Sequence, residues 1–243
     1  MNLIIDAGNT KVKLAVFKGD KIVFVVKVLF EDVIEKIKNI FLEYSNINKV
    51  ISSSVSKLNK EHLKQLFKNV NWVVLDYKTK IPFQNLYKTP ETLGVDRIAL
   101  VANAVNKHSE KNVLVIDAGT CITYDFVNKK SEYYGGSIAP GLHLRYKSLS
   151  DYTENLPLLS PKYPNTLIGN STENAIHAGV SNGVIAEING VINEFSNNYK
   201  HLVVILTGGD AIFLSERLKS GIFVDPEFLL YGLNYILEYT TSK

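Results

Sequence analysis

A chain of 243 residues that is 46% hydrophobic has the apolar mass for one large domain or two modest ones, which excludes a disordered protein. Its 27 basic and 24 acidic residues leave a formal charge of +3, and the lysines are scattered rather than gathered into a block, which argues against a nucleic-acid partner. A single cysteine, Cys121, excludes an intrachain disulfide and a multi-cysteine zinc site, and the five histidines are too dispersed for a local metal pattern.

From the N-terminus, three strands are predicted in succession at residues 3–6, 12–17 and 22–28, with turns at Gly8-Asn9 and Gly19-Asp20. Neither a leader nor a membrane span is expected. Asp6 ends the first apolar run, and residues 22–26 are closed by Lys21 and Lys27, far short of the roughly 20 residues a bilayer requires. A cytoplasmic protein with no membrane partner is the expectation. Apolar residues at Val33, Ile34, Ile37, Ile40 and Phe41 then mark an amphipathic helix over 31–44. A strand at 49–53, a helix at 60–67, a strand at 72–75 and an Ala-rich helix at 95–105 follow.

The second half opens in the same way, with strands at 113–117, 122–127 and 133–138. Three prolines interrupt residues 151–168, read as an ordered loop anchored by Leu156, Leu158 and Leu159. Helices at 173–195 and 211–219 enclose a strand at 202–206, and a last helix covers 226–239. The repeated order predicts an α/β fold of two duplicated units with mixed sheets and a cleft between them, divided near 107–112 into residues 1–109 and 110–243.

Both halves end a buried-looking strand on a carboxylate and a glycine: Asp6-Ala7-Gly8-Asn9-Thr10 and Asp117-Ala118-Gly119-Thr120. A carboxylate there is costly unless donors or a cation meet it, and the glycine lets backbone approach a ligand. Two such ends suggest a nucleotide site; an ordinary Asp-Gly turn with a solvated carboxylate is the alternative for either alone. The chain lacks both G-x-x-x-x-G-K-[ST] and G-x-G-x-x-G, so phosphate must be held differently. Thr207-Gly208-Gly209-Asp210 offers bare backbone to a flat base, or else a plain turn capped by Asp210. Asp96 and Arg97 fall in the first turn of the helix at 95–105 and are expected to point away from the core; an arginine placed against the helix dipole suggests an anionic ligand. Small residues at Ala175, Gly179, Gly183, Ala186 and Gly190 form a stripe read first as packing within the subunit. Cys121 is read as a small buried residue, and His143 and His177 as structural.

These motifs, with Gly94-Val95-Asp96-Arg97 and Gly135-Gly136-Ser137-Ile138-Ala139-Pro140-Gly141, stand in the order of type III pantothenate kinases, which the chain resembles over nearly its whole length. The resemblance implies ribonuclease-H-like units of the actin-like ATPase superfamily, and phosphorylation of pantothenate by ATP. It implies that Asp6, Ala7, Gly8, Asn9, Thr10, Lys11, Val12 and Lys13 surround the ATP phosphates, with Asp6 near Mg2+ through water, and that Thr120, Gly208 and Gly209 also contact nucleotide. By the same resemblance Asp117 binds K+ or NH4+; Tyr87, Gly94, Val95, Asp96, Arg97 and Thr172 hold pantothenate; and Asp96 is the general base. A homodimer is implied as well. The same superfamily also contains other small-molecule kinases, and non-catalytic regulators of this fold remain an alternative.

Overall fold

The computed structural model describes residues 1–8, 10–54, 58–218 and 221–242. The chain divides into two compact units, one formed by Met1–Lys107 together with Phe228–Lys243, the other by His108–Glu227. The last helix, expected in the second unit, thus belongs to the first.

In the first unit, β1 (Asn2–Ala7), β2 (Val12–Lys18) and β3 (Lys21–Val28) form an antiparallel meander. Gly19 turns β2 into β3 at φ +59°, a conformation that glycine adopts without cost. After α1 (Val33–Glu43), β4 (Lys49–Ser52) lies parallel to β1, and after α2 (Lys60–Leu66), β5 (Asn71–Val74) lies parallel to β4. The order is therefore β3-β2-β1-β4-β5. β1 is buried over Asn2–Ile5 and its apolar side chains meet Val33, Ile37 and Ile40 of α1, the predicted stripe. A two-residue strand, β6 (Gln84–Asn85), and a 3-10 turn at Pro90–Thr92 precede α3 (Val95–Lys107).

The second unit repeats this plan. β7 (Val113–Ala118), β8 (Cys121–Val127) and β9 (Glu132–Pro140) are again antiparallel, followed by α4 (Leu142–Asp151), α5 (Thr172–Asn198), β10 (Val203–Thr207), α6 (Ala211–Ser215) and β11 (Ile222–Val224). β10 lies parallel to both β7 and β11, so the order β9-β8-β7-β10-β11 matches the first sheet strand for strand. α4 was not predicted. Its sequence, Leu142-His143-Leu144-Arg145-Tyr146, alternates like a strand, and only Leu142 and Tyr146, one helical turn apart, are buried.

The final helix, α7 (Phe228–Thr241), packs against α3, β1 and β4. Asn2 Nδ2 donates to Asn234 Oδ1 at 2.8 Å and to Glu238 Oε1 at 2.7 Å, and Lys49 Nζ meets Glu238 Oε2 at 2.7 Å. Gly232 sits directly against Ala99, where an added Cβ would lie 1.9 Å from the Ala99 carbonyl oxygen. Gly232→Ala is therefore expected to destabilise the chain by about 1–3 kcal/mol in urea unfolding, despite the better helix propensity of alanine. An unchanged or raised midpoint would show that α3 and α7 are not in this close contact.

Candidate active site

The acid-ended hairpin of the first unit is built by register. Asp6 pairs with Lys13 and Ala7 with Val12, while the Gly8 N–H donates to the Lys11 carbonyl at 3.1 Å. Asn9 lies outside the described residues; Thr10 and Lys11 are exposed and Val12 is buried. Ser53, buried just past β4, holds the turn: its Oγ donates to Asp6 Oδ1 at 3.1 Å and accepts from the Ala7 N–H at 3.0 Å. The sequence reading did not single out Ser53. Its signal is a hydroxyl at the end of the strand that runs beside the acid-tipped one.

The second unit repeats the arrangement with different chemistry. Asp117 pairs with Thr123 on β8 and with Thr207 on β10. Gly208 follows at φ +96°, and a Cβ there would lie 2.4 Å from Asp117 Oδ1 and 2.3 Å from the Ala118 carbonyl oxygen. Only glycine fits. The Gly119 N–H donates to the Cys121 carbonyl at 3.0 Å and the Asp210 N–H to the Ala118 carbonyl at 2.9 Å, so the loops after β7 and β10 are tied together. Gly141, whose N–H donates to the Thr120 carbonyl at 3.0 Å, brings the start of α4 to the same loop.

These loops enclose a pocket of about 420 Å3 lined by Gly119, Thr120, Gly209, Asp210, His143 and Lys147, among others. Thr120 and Gly209, predicted from distant parts of the sequence, are thus brought together. His143, expected to be structural, lines this pocket instead, as does Lys147, because α4 forms here. Asp210 stands at the N-cap position of α6 but its side chain makes no cap bond; instead its Oδ1 lies 3.6 Å from His143 Nε2. Burial raises the Asp210 carboxyl above the usual carboxylate range, and His143 opposes the shift.

The remaining predicted substrate residues divide between the units. In the first, the Asp96 carboxylate is exposed at the start of α3 and folds back to accept from the Arg97 N–H at 2.8 Å. Gly94 leaves room for it, since a Cβ there would lie 2.4 Å from Asp96 Oδ1. Val95 is half-buried. Arg97 does not point away from the core as expected: it is 5% exposed, with its guanidinium carbon 5.6 Å from the centroid of the Tyr87 ring. α3 is buried on nearly every side over 97–104, so its polar first-turn residue is covered too. In the second unit, Thr172 opens α5 and lines a separate pocket of about 630 Å3 between α4 and α5. Two minor expectations are corrected. Cys121 is exposed, because it begins β8 at the rim of the sheet. The small stripe of α5 is also exposed, and a Cβ at Gly179, Gly183 or Gly190 would meet nothing within 4 Å, so it is not packed within the unit.

Two α/β units of one strand order, each with a glycine-bearing, acid-tipped turn, make up a fold that solved structures share. A glucokinase from an Antarctic psychrotroph shares the fold, with a TM-score of 0.54 at 11% identity over 98% of both chains. So does a Campylobacter jejuni protein described as a Baf family transcriptional activator, with a TM-score of 0.64 at 24% identity and 98% of both chains covered. At those identities the likeness concerns the fold alone. The family model for type III pantothenate kinase matches residues 2–194, and the type III pantothenate kinase of Christiangramia forsetii is 46% identical over 243 residues, covering 100% of both chains. The chain belongs to the type III pantothenate kinase family.

The Asp210 environment carries a stability consequence. A carboxyl whose folded pKa lies above its unfolded value favours the fold when protonated; that contribution is complete below the unfolded value and is lost as pH rises through the folded one. Asp210→Asn, which stays neutral, is expected to melt higher than the parent at pH 8, with the difference closing as pH falls towards 4. A variant melting lower at pH 8 would mean that the carboxylate contributes a favourable bond there.

Proposed function

We infer that the protein phosphorylates pantothenate with ATP to give 4'-phosphopantothenate, the first step of coenzyme A biosynthesis. The observation that carries this reading is full-length similarity to a named pantothenate kinase in a chain that keeps an exposed Asp96 carboxylate beside the buried Arg97.

Phosphoryl transfer asks little covalent chemistry of a protein, so positioning and charge neutralisation dominate. Asp96 is assigned as the base that accepts the proton of the primary hydroxyl as its oxygen attacks the γ-phosphate. Its partner supports the role, because the bond from the Arg97 N–H holds the carboxylate at the helix start and leaves it accessible. Arg97 and Tyr87 supply a cationic, aromatic wall for the substrate. Asp6, fixed by Ser53, Gly8, and Thr120 with Gly208 and Gly209 are assigned to the nucleotide.

Magnesium and a monovalent cation belong to the same reading, and the donors present suit them. Mg2+ would arrive on the phosphates and meet Asp6 through water. At Asp117 the carboxylate lies against the bare backbone of Gly208, close to the Ala118 carbonyl, a setting of hard oxygen donors suited to K+ or NH4+. Bound there, such ions would supply countercharge to the phosphates. A homodimer is part of the proposal, supported by the exposed small-residue face of α5. So is a cytoplasmic location; among the described residues no helix is long and apolar enough to cross a membrane.

ADP release coupled to pantothenate is the direct test, run in potassium and then in sodium. Turnover in potassium with little in sodium is expected, and Asp117→Ala should erase that difference. No pantothenate-dependent ADP release in either salt would reject the reading. Asp96→Asn should bind ATP normally while turnover falls by about 100-fold or more; a near-normal rate would remove Asp96 as the base.

A further inference from the structure

Glu187 of α5 stands between two donors. The Tyr124 hydroxyl donates to its Oε1 at 2.8 Å, and Arg145 Nη2 donates to its Oε2 at 2.6 Å. Arg145 Nε donates in turn to the Pro140 carbonyl at 2.9 Å, so the guanidinium of α4 is gripped from β9 and α5, and Tyr124 of β8 holds the carboxylate that meets it. Burial, reinforced by the Glu187 carboxylate, pushes the Tyr124 hydroxyl well above the usual tyrosine range, so it stays a proton donor.

A guanidinium has more N–H groups than these two bonds occupy. Arg145, 22% exposed, lines the α4–α5 pocket with Ser148, Leu156, Thr172, Ile176 and Val180. A pocket of about 630 Å3 with apolar walls and a few convergent polar groups is of small-molecule size. Because Glu187 already balances its charge, Arg145 offers directed donors without a net positive field. An uncharged oxygen can accept from them freely, whereas a carboxylate would also meet the field of Glu187.

We propose that Arg145 is a substrate-binding residue in this pocket, donating to an uncharged oxygen of the substrate such as an amide carbonyl, with Glu187 and Tyr124 as the positioning residues that aim it. This rests on the pantothenate reading, which supplies a ligand with an amide carbonyl and an apolar dimethyl carbon. Arg145 then fixes the middle of the substrate, not its carboxylate end.

The test compares KM for pantothenate with KM for the alcohol analogue in which CH2OH replaces the carboxylate. Arg145→Ala is expected to raise both by a similar factor, about tenfold, with KM for ATP within about twofold of the parent. Glu187→Gln leaves the guanidinium unbalanced and should shift the ratio of the two KM values by about threefold in favour of pantothenate. Tyr124→Phe should raise both KM values more mildly. An increase in Arg145→Ala confined to pantothenate would mean that the carboxylate is bound instead; unchanged values would mean no contact; and a Glu187→Gln variant with an unaltered ratio would reduce Glu187 to a structural part. Should Arg145→Ala fail to fold, the Glu187→Gln ratio decides. All of these outcomes require an active parent. A parent without pantothenate-dependent turnover instead rejects the functional reading, and this inference with it.

Discussion

A carboxylate at the end of a buried strand must be answered, and the way each unit answers it organises the rest. In both sheets the strand parallel to the acid-tipped one delivers the answer: the residue after β4 is Ser53, and Thr207 of β10 occupies the matching place beside Asp117. Ser53 spends its hydroxyl on Asp6 and on the Ala7 N–H, which shapes the first turn from within. In the second unit the next residue is Gly208, and bare backbone lies against Asp117. One topology thus yields one turn locked by a serine hydroxyl and another in which glycine backbone lies against the carboxylate.

The polar interior of the second unit follows a similar economy of donors. Ser181 Oγ donates to the Lys162 carbonyl at 2.8 Å, so the Tyr146 hydroxyl, 3.0 Å away, is the donor to Ser181. That leaves the Tyr146 oxygen to accept from His177 Nδ1 at 2.8 Å and assigns the ring its Nδ1–H form. The chain of bonds runs in one direction and ends on the backbone of the proline-bearing loop. Tyr163 finishes the anchoring, stacked on Phe213 with ring centroids 4.2 Å apart and its hydroxyl donating to the Phe213 carbonyl at 2.7 Å. Leu156 and Leu159 pack on the core as expected, whereas Leu158 is 64% exposed.

Much of this was legible in the sequence. The meanders, the parallel strands and the repeat were visible because β-periodicity and turn glycines are local signals. The paired Asp-Ala-Gly turns were visible because they occur twice. What stayed hidden depended on contacts between distant segments. α4 alternates like a strand, so Arg145 and Lys147 could not be placed, and His143 reads as structural although it lines a pocket. The burial of Arg97 is decided by Tyr87 and the close packing of α3, not by its position in a first turn. Ser53 matters because β4 pairs with β1, which no local pattern announces. The small stripe of α5 has the spacing of a packed helix face, yet its neighbours within the unit lie elsewhere.

The placement of α7 reverses the usual order of maturation. Its residues follow the whole second unit in sequence, yet they cover α3, β1 and β4, which precede that unit. The segment between, His108–Glu227, is continuous and holds the strands β7 to β11 and a core of its own. The middle of the chain can therefore fold before α7 is made, while the N-terminal sheet waits with one apolar face bare until α7 arrives. A nascent chain stalled before Phe228 would present that face to a chaperone.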